Sequence, residues 1–315
     1  MTVRLHALVC LALVCLGLVL ALGLPIAARA AGDTGLSTFV AATVADAGSS
    51  NREARSRATE AVPLDRMAPV ERQIAEQAIR QTTLYRHLPR ASITCDAALL
   101  DFVLTKPETL VEVWRVLGIS MLALDPAGPA RWRLSDGFGT VGTVRLLHHE
   151  RNGRGGFYVF HGRGAYEGPL APKQLTGSCL VVVRHSADPA AATGRPRQTV
   201  QIDAFLDVDG LGLEIVTRTL QPLIVHSAAT NLHEISLFVS QFSAAAIRNP
   251  VAVARLTDRM TRIEPQDRRT LAALASGKTG GTHPAESHRP VEDDVQTELA
   301  ARWMNTDQLD AVQRR

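Results

Sequence analysis

Thr199-Val200-Gln201-Ile202-Asp203-Ala204-Phe205-Leu206-Asp207-Val208 alternates strictly, with Val200, Ile202, Ala204, Leu206 and Val208 on one side and Gln201, Asp203, Phe205 and Asp207 on the other. Period two sustained over this length marks a β-strand with one buried face. Half-burial belongs to antiparallel sheets, because parallel sheets are covered on both sides and read as continuous apolar runs.

Working outward, four more segments read as strands: Thr140 to His149, Phe157 to Tyr166, Leu175 to His185 and Leu211 to Leu220. Between them lie turn-rich pieces: Arg151 to Gly156, Gly168-Pro169, Asp188 to Arg197 and the hairpin pair Asp209-Gly210. Connections this short force antiparallel neighbours, so the middle of the chain is a meander and not a βαβ array. Gly162 and Gly164 interrupt the second of these strands and suggest a bulge or sharp bend there.

Helices flank the meander. Pro69 sits at a first helical position, and Val70, Ile74, Ala78 and Ile79 recur at helical spacing up to Leu84. Pro107-Glu108 opens a helix over Thr109 to Leu117 with Leu110, Val113, Trp114 and Leu117 on one face. After the sheet, Leu232, Ile235, Phe238, Val239, Phe242 and Ala246 predict a long amphipathic helix from Asn231 to Asn249, stopped by Pro250. Its apolar stripe needs a partner, and the concave face of a bent sheet is the available place. Val251 to Met260 and Thr270 to Ala275 read as short helices, Ser276 to Pro290 as a linker, and Glu292 to Met304 as a last amphipathic helix able to meet a protein partner.

From about Leu88 to Pro250 this element order resembles the helix-grip fold of the START and polyketide-cyclase-like superfamily. The segment Leu220-Gln221-Pro222-Leu223, running through Asn231 into Glu234-Ile235-Ser236-Leu237-Phe238, is similar to the last strand and grip helix of such proteins. The resemblance implies an α+β fold in which a curved antiparallel sheet grips a long C-terminal helix, with extra helices at both ends. It also implies an apolar ligand enclosed between helix and sheet. It places the first strand near Ala98 to Thr105, a stretch that also reads as helix, and it carries no universal catalytic residues.

The chain has 315 residues, 46% of them hydrophobic and 21% charged, which excludes disordered, collagenous and coiled-coil classes. Met1 to Ala30 reads as an export leader: a basic start, an unbroken apolar run from Ala7 to Ile26, and the small-x-small site Ala28-Arg29-Ala30. An uncleaved inner-membrane anchor is the alternative. Without this segment the net charge falls from +3 to +1, so charge gives no argument for nucleic acid. The expected organisation is a leader (1–30), a linker with one amphipathic helix (31–87), the core domain (88–250) and a helical tail (251–315). The protein is then periplasmic or secreted, and membrane contact comes only through an uncleaved leader.

No catalytic constellation stands out. His148-His149-Glu150 with His161 is the most enzyme-like cluster, but adjacent strand residues point to opposite faces, so His148 and His149 cannot share one ion. Asp207-Val208-Asp209-Gly210 lacks the remaining oxygens of a calcium loop, and Gly153 to Gly156 precedes a strand, so no helix N-terminus receives phosphate. Cys95 and Cys179 read as independent core residues, with a single bridge the alternative. No catalytic residue, metal or cofactor is assigned. The candidate cavity residues are Trp114, Phe138, Tyr158, Phe160, Tyr166, His226, Asn231 and Phe238. The expected function is a non-enzymatic carrier of a lipid or other apolar molecule. The alternatives are an envelope structural or interaction protein with a filled core, and a hydrolase or cyclase using His148, His149 or His161.

Overall fold

The computed structural model describes residues 48–166, 175–191, 194–209 and 221–277. The leader, the strand Leu211 to Leu220 with Gly210 of its hairpin, and the tail helix Glu292 to Met304 lie outside the described residues.

Helices α1 (Arg52–Glu60) and α2 (Pro69–Gln81) lead into strands β1 (Leu84–His87) and β2 (Ala91–Ile93). A helix pair follows, α3 (Ala97–Thr105) and α4 (Pro107–Val116). The meander then runs through β3 (Ala123–Pro126), β4 (Arg131–Ser135), β5 (Thr140–Arg151), β6 (Gly155–Tyr166), β7 (Leu175–Ala187) and β8 (Gln198–Asp209). The described chain closes with α5 (Gln221–Arg248), α6 (Pro250–Asp258) and α7 (Pro265–Ala275). The fold is α+β. All eight strands form one antiparallel sheet in the order β1-β8-β7-β6-β5-β4-β3, with β2 also on β8. Proline opens α2, α4, α6 and α7, where its missing N–H would have had no helical partner anyway.

Both sides of the sheet are packed. Inside, Val144, Leu146, Phe160, Val181, Val183, Ile202 and Leu206 share one core with Leu99 and Val103 of α3, Val113 and Trp114 of α4, and Leu232, Phe238 and Phe242 of α5. α5 is tied to the sheet edge where the Thr94 amide donates to the Ser240 hydroxyl at 2.9 Å. Outside, Tyr85, Leu147, Val159, Leu180, Val182 and Phe205 pack against Ala54, Ala58, Ala75 and Ala78 of α1 and α2. Double coverage explains the unbroken run Leu180-Val181-Val182-Val183 in β7.

Several expectations are corrected. β8 is buried on both faces at its centre: Asp203 is 0% and Phe205 1% exposed, because α1 and α2 cover the side that alternation assigns to solvent. Ala98 to Thr105 is helical. The place beside β8 is taken by Leu84–His87, where Thr82 ends α2 and the Tyr85 ring packs tilted, at 5.1 Å, on its register partner Phe205. Arg52–Glu60, expected as linker, is a helix whose cap Asn51 accepts from the Ala54 amide at 2.7 Å and which buries only alanines. α5 begins at Gln221, ten residues before the expected start. The bulge falls on β5, where register shifts between Leu146 and His148, while Gly162 and Gly164 keep regular pairing with Val144 and Gly142.

Asp203 holds the outer layer together. Its carboxylate accepts from the Tyr85 hydroxyl at 2.6 Å and from His87 Nδ1 at 2.7 Å, and it is ion-paired with Arg184. Burial, then the bond to Asp203, holds the Tyr85 phenol protonated far above its ordinary range. Asp203→Ala is expected to cost about 3 kcal/mol in urea denaturation. That is the low end for losing one partner of a buried pair, because about a third of the His87 and Arg184 side chains stays in water.

Candidate functional site

The inner face of the sheet carries two contrasting regions. Near the β5–β6 turn it is polar. Asp101 of α3 accepts a hydrogen bond from the Tyr158 hydroxyl and another from His185 Nε2 at 2.8 Å, and His185 Nδ1 lies 3.1 Å from Gln198 Oε1. His149, exposed at the rim, stacks on Tyr158, which in turn stacks on His185, with ring centroids 6.1 and 6.0 Å apart. The carboxylate comes this close to the sheet because Gly156 has no side chain. A Cβ there would lie 2.6 Å from Tyr158, 2.7 Å from His185 and 2.9 Å from Asp101.

Burial acts to raise the Asp101 carboxyl, but hydrogen bonds from His185 and Tyr158, with the charges of His185 and Arg151, outweigh it and leave the group below its ordinary value. Both His185 nitrogens are engaged, so no ring nitrogen faces a reacting atom. This cluster is a clasp between α3 and the sheet.

Toward the opposite end the same face loses its side chains. Register aligns Gly142 of β5, Gly164 of β6 and Gly177 of β7 in one row across three strands, and the next row sets Gly162 beside Cys179. Thr140 precedes this floor on the same face of β5, is 2% exposed, and has a hydroxyl without a hydrogen-bond partner among the described residues.

Over the inner layer, Trp114 of α4 is 1% exposed and meets Phe238 of α5 edge-on at 5.9 Å, with Phe242 stacked behind at 6.3 Å. The Trp114 indole N–H is buried without a partner among the described residues, while the indole of Trp132 donates to Glu108 at 2.7 Å. A buried donor left unsatisfied costs about 1 to 3 kcal/mol.

Of the sequence candidates, Trp114, Tyr158, Phe160, Tyr166 and Phe238 lie in one core on this inner side. Asn231 is buried on α5. His226 is in the same helix, its side chain outside the described residues. Phe138 stands apart, 61% exposed in the β4–β5 turn. The histidines of the enzymatic alternative do not converge: His148 pairs with Glu150 at 2.7 Å on the outer face, His149 lies on the inner face, and His161 faces outward from β6. Burial first, then Arg163 and Arg145, push the His161 imidazole down to about 4, so it is neutral at pH 7. Cys95 and Cys179 are buried and unbridged, and burial reinforced by Asp96 pushes the Cys95 thiol up to about 12. No cluster of three metal-ligating side chains occurs among the described residues.

The polar clasp was not found from sequence. Its one signal was Asp101, a lone acid inside the apolar run Ala97-Ala98-Leu99-Leu100-Asp101-Phe102-Val103-Leu104, which calls for a buried partner.

Gly156→Ala is expected to lower stability by about 2 kcal/mol, within the usual cost of overpacking, and to release the Tyr158–His149 stack, seen as a changed near-UV dichroism of Tyr158. For His161, the folded value is below the unfolded value of about 6.5, so the unfolded chain binds the extra proton and stability falls as pH drops from about 6.5 to 4. His161→Leu is expected to abolish that part of the loss, on the order of 2 kcal/mol, in denaturation midpoints measured across this window.

Neither the known protein-family models nor the curated proteins provide a match to this chain.

Proposed function

We propose that this is an exported carrier that holds an apolar molecule bearing a hydrogen-bond acceptor between the inner face of the sheet and helices α4 and α5. The observation that carries this reading is the glycine floor of Gly142, Gly162, Gly164 and Gly177 on the inner face of the sheet, the face that shares its core with the helices. Interior-facing strand positions in a filled core carry bulky side chains, and glycine weakens a strand, so several on one face mark a place where something else comes close.

Two further points support it. Two buried donors of the inner side, the Trp114 indole and the Thr140 hydroxyl, lack acceptors among the described residues and suit a ligand carbonyl, ester or carboxylate. The element order also fits the helix-grip resemblance once the first strand is moved: β1 and β2 precede a helix pair, six strands follow, and a long helix comes after the sheet. Export rests on the Met1 to Ala30 leader; among the described residues no helix is long and apolar enough to cross a membrane.

Native mass spectrometry of protein purified from its host is expected to show a co-purified apolar molecule, and N-phenyl-1-naphthylamine is expected to bind in competition with it. Trp114→Phe removes one hydrogen bond, and the host molecule is expected to bind about tenfold more weakly without a change in the melting midpoint. Gly164→Leu is expected to fill the floor and abolish binding of the host molecule and of the dye. Absence of any bound molecule together with absence of dye binding overturns the reading in favour of a filled-core structural protein.

A further inference from the structure

The outer face of the sheet is covered by α1 and α2 over β1, β8, β7 and the Leu147 and Val159 part of β5 and β6, but Arg131 and Arg133 of β4, Val141 and Thr143 of β5 and Arg163 of β6 are exposed. Two cross-strand rows at this end carry arginines. Arg131 stands directly opposite Arg145, which stands opposite His161, and in the next row Arg133 and Arg163 flank Thr143. Like charges set opposite one another destabilise a sheet, so such a face calls for a function. The acidic groups nearby are accounted for. Glu71 of α2 pairs with Arg145, and Asp125, opposite Arg133, is 3.8 Å from Arg262. Asp207 lies two strands away from Arg163 in register. Among the described residues no carboxylate lies within ion-pair distance of Arg131, Arg133 or Arg163, and all three are exposed.

The same end of the sheet carries exposed apolar side chains. In the turn Asp136-Gly137-Phe138-Gly139-Thr140, the Asp136 carboxylate accepts from the amides of Phe138 at 2.7 Å and Thr140 at 2.9 Å, and Gly137 and Gly139 take positive φ. The turn therefore has a fixed shape and presents Phe138 to solvent. Met121, 67% exposed, lies against Gly137, and Val141, 56% exposed, follows on the outer face of β5.

We infer that this face, Arg131, Arg133 and Arg163 with the Phe138 turn, docks on an anionic lipid bilayer, the arginines on headgroup phosphates and Phe138 and Met121 in the interfacial layer. A cationic face bordered by an aromatic and an aliphatic tip is the composition that partitions into a headgroup boundary. Single-stranded nucleic acid would need aromatic stacking platforms, and the arginine rows contain none.

The test labels Phe138→Cys in the full chain with an environment-sensitive fluorophore; Cys95 and Cys179 are buried. Vesicles of phosphatidylglycerol and phosphatidylcholine are expected to shift the emission to the blue, pure phosphatidylcholine vesicles are not, and 0.5 M salt is expected to reverse the shift. With Arg131→Glu, Arg133→Glu and Arg163→Glu combined, or the same three changed to Gln, the lipid concentration at half-shift is expected to rise at least about tenfold. Reversal of Arg52 and Arg269, exposed elsewhere, is expected to leave it unchanged. Vesicle binding with no shift at position 138 assigns attachment to the leader and overturns the proposal. A shift that survives the three substitutions, or a soluble acidic protein producing the shift where phosphatidylglycerol does not, also overturns it.

Discussion

A carboxylate on a helix can reach a sheet only where the sheet gives it room, and Asp101 reaches β6 and β7 because Gly156 leaves a gap the width of one methyl group. That contact sets the height of α3 above the strands. The chain then turns through Lys106 directly into α4, whose Glu108 carboxylate accepts the Trp132 indole of β4. The helix pair is thus held to the sheet at two places by buried carboxylates with fixed acceptor geometry. Desolvation makes such contacts poor sources of net stability, and their effect is to define distance and register.

The outer layer is built on the same principle from the opposite side. Arg184 and His185 are consecutive in β7, so the pleat sends one to Asp203 outside and the other to Asp101 inside. Two neighbouring residues of the central strand therefore fasten both helix layers. Each clasp combines an acid, a tyrosine and a histidine, Asp203 with Tyr85 and His87 outside and Asp101 with Tyr158 and His185 inside. Their chemistry is that of anchorage.

The parts of the fold legible in the sequence were those whose periodicity had one cause. β5 to β8 and the helices opened by Pro69, Pro107 and Pro250 follow from alternation, helical spacing and the fixed φ of proline. Errors arose where two causes overlapped. Asp203 and Phe205 lie on a face that alternation marks as polar, and only the later docking of α1 buries them. Leu84–His87 continues the apolar spacing of α2 and becomes a strand through its pairing with β8, a contact across more than a hundred residues. α1 buries only Ala54 and Ala58, a stripe too slight to separate from linker composition. Of the candidate site, the aromatic residues of the inner layer were legible as core, whereas the glycine row was not. Gly142, Gly164 and Gly177 are scattered in sequence and become neighbours only through register.

The proposed interior site and the proposed docking face, though they rest on separate observations, call for the same chemistry. The inner region presents donors without acceptors, the Trp114 N–H and the Thr140 hydroxyl, amid apolar walls. The outer face presents Arg131, Arg133 and Arg163, side chains that only donate, beside exposed Phe138 and Val141. Thr140 is adjacent in sequence to Val141, and the pleat sends the first inward and the second outward, so the start of β5 joins the two regions through one backbone segment. A molecule with an acceptor head and an apolar body complements both. Capture from a bilayer surface and storage beneath α5 would then be two stages of handling one class of lipid, with the Asp136-capped turn at the boundary between them.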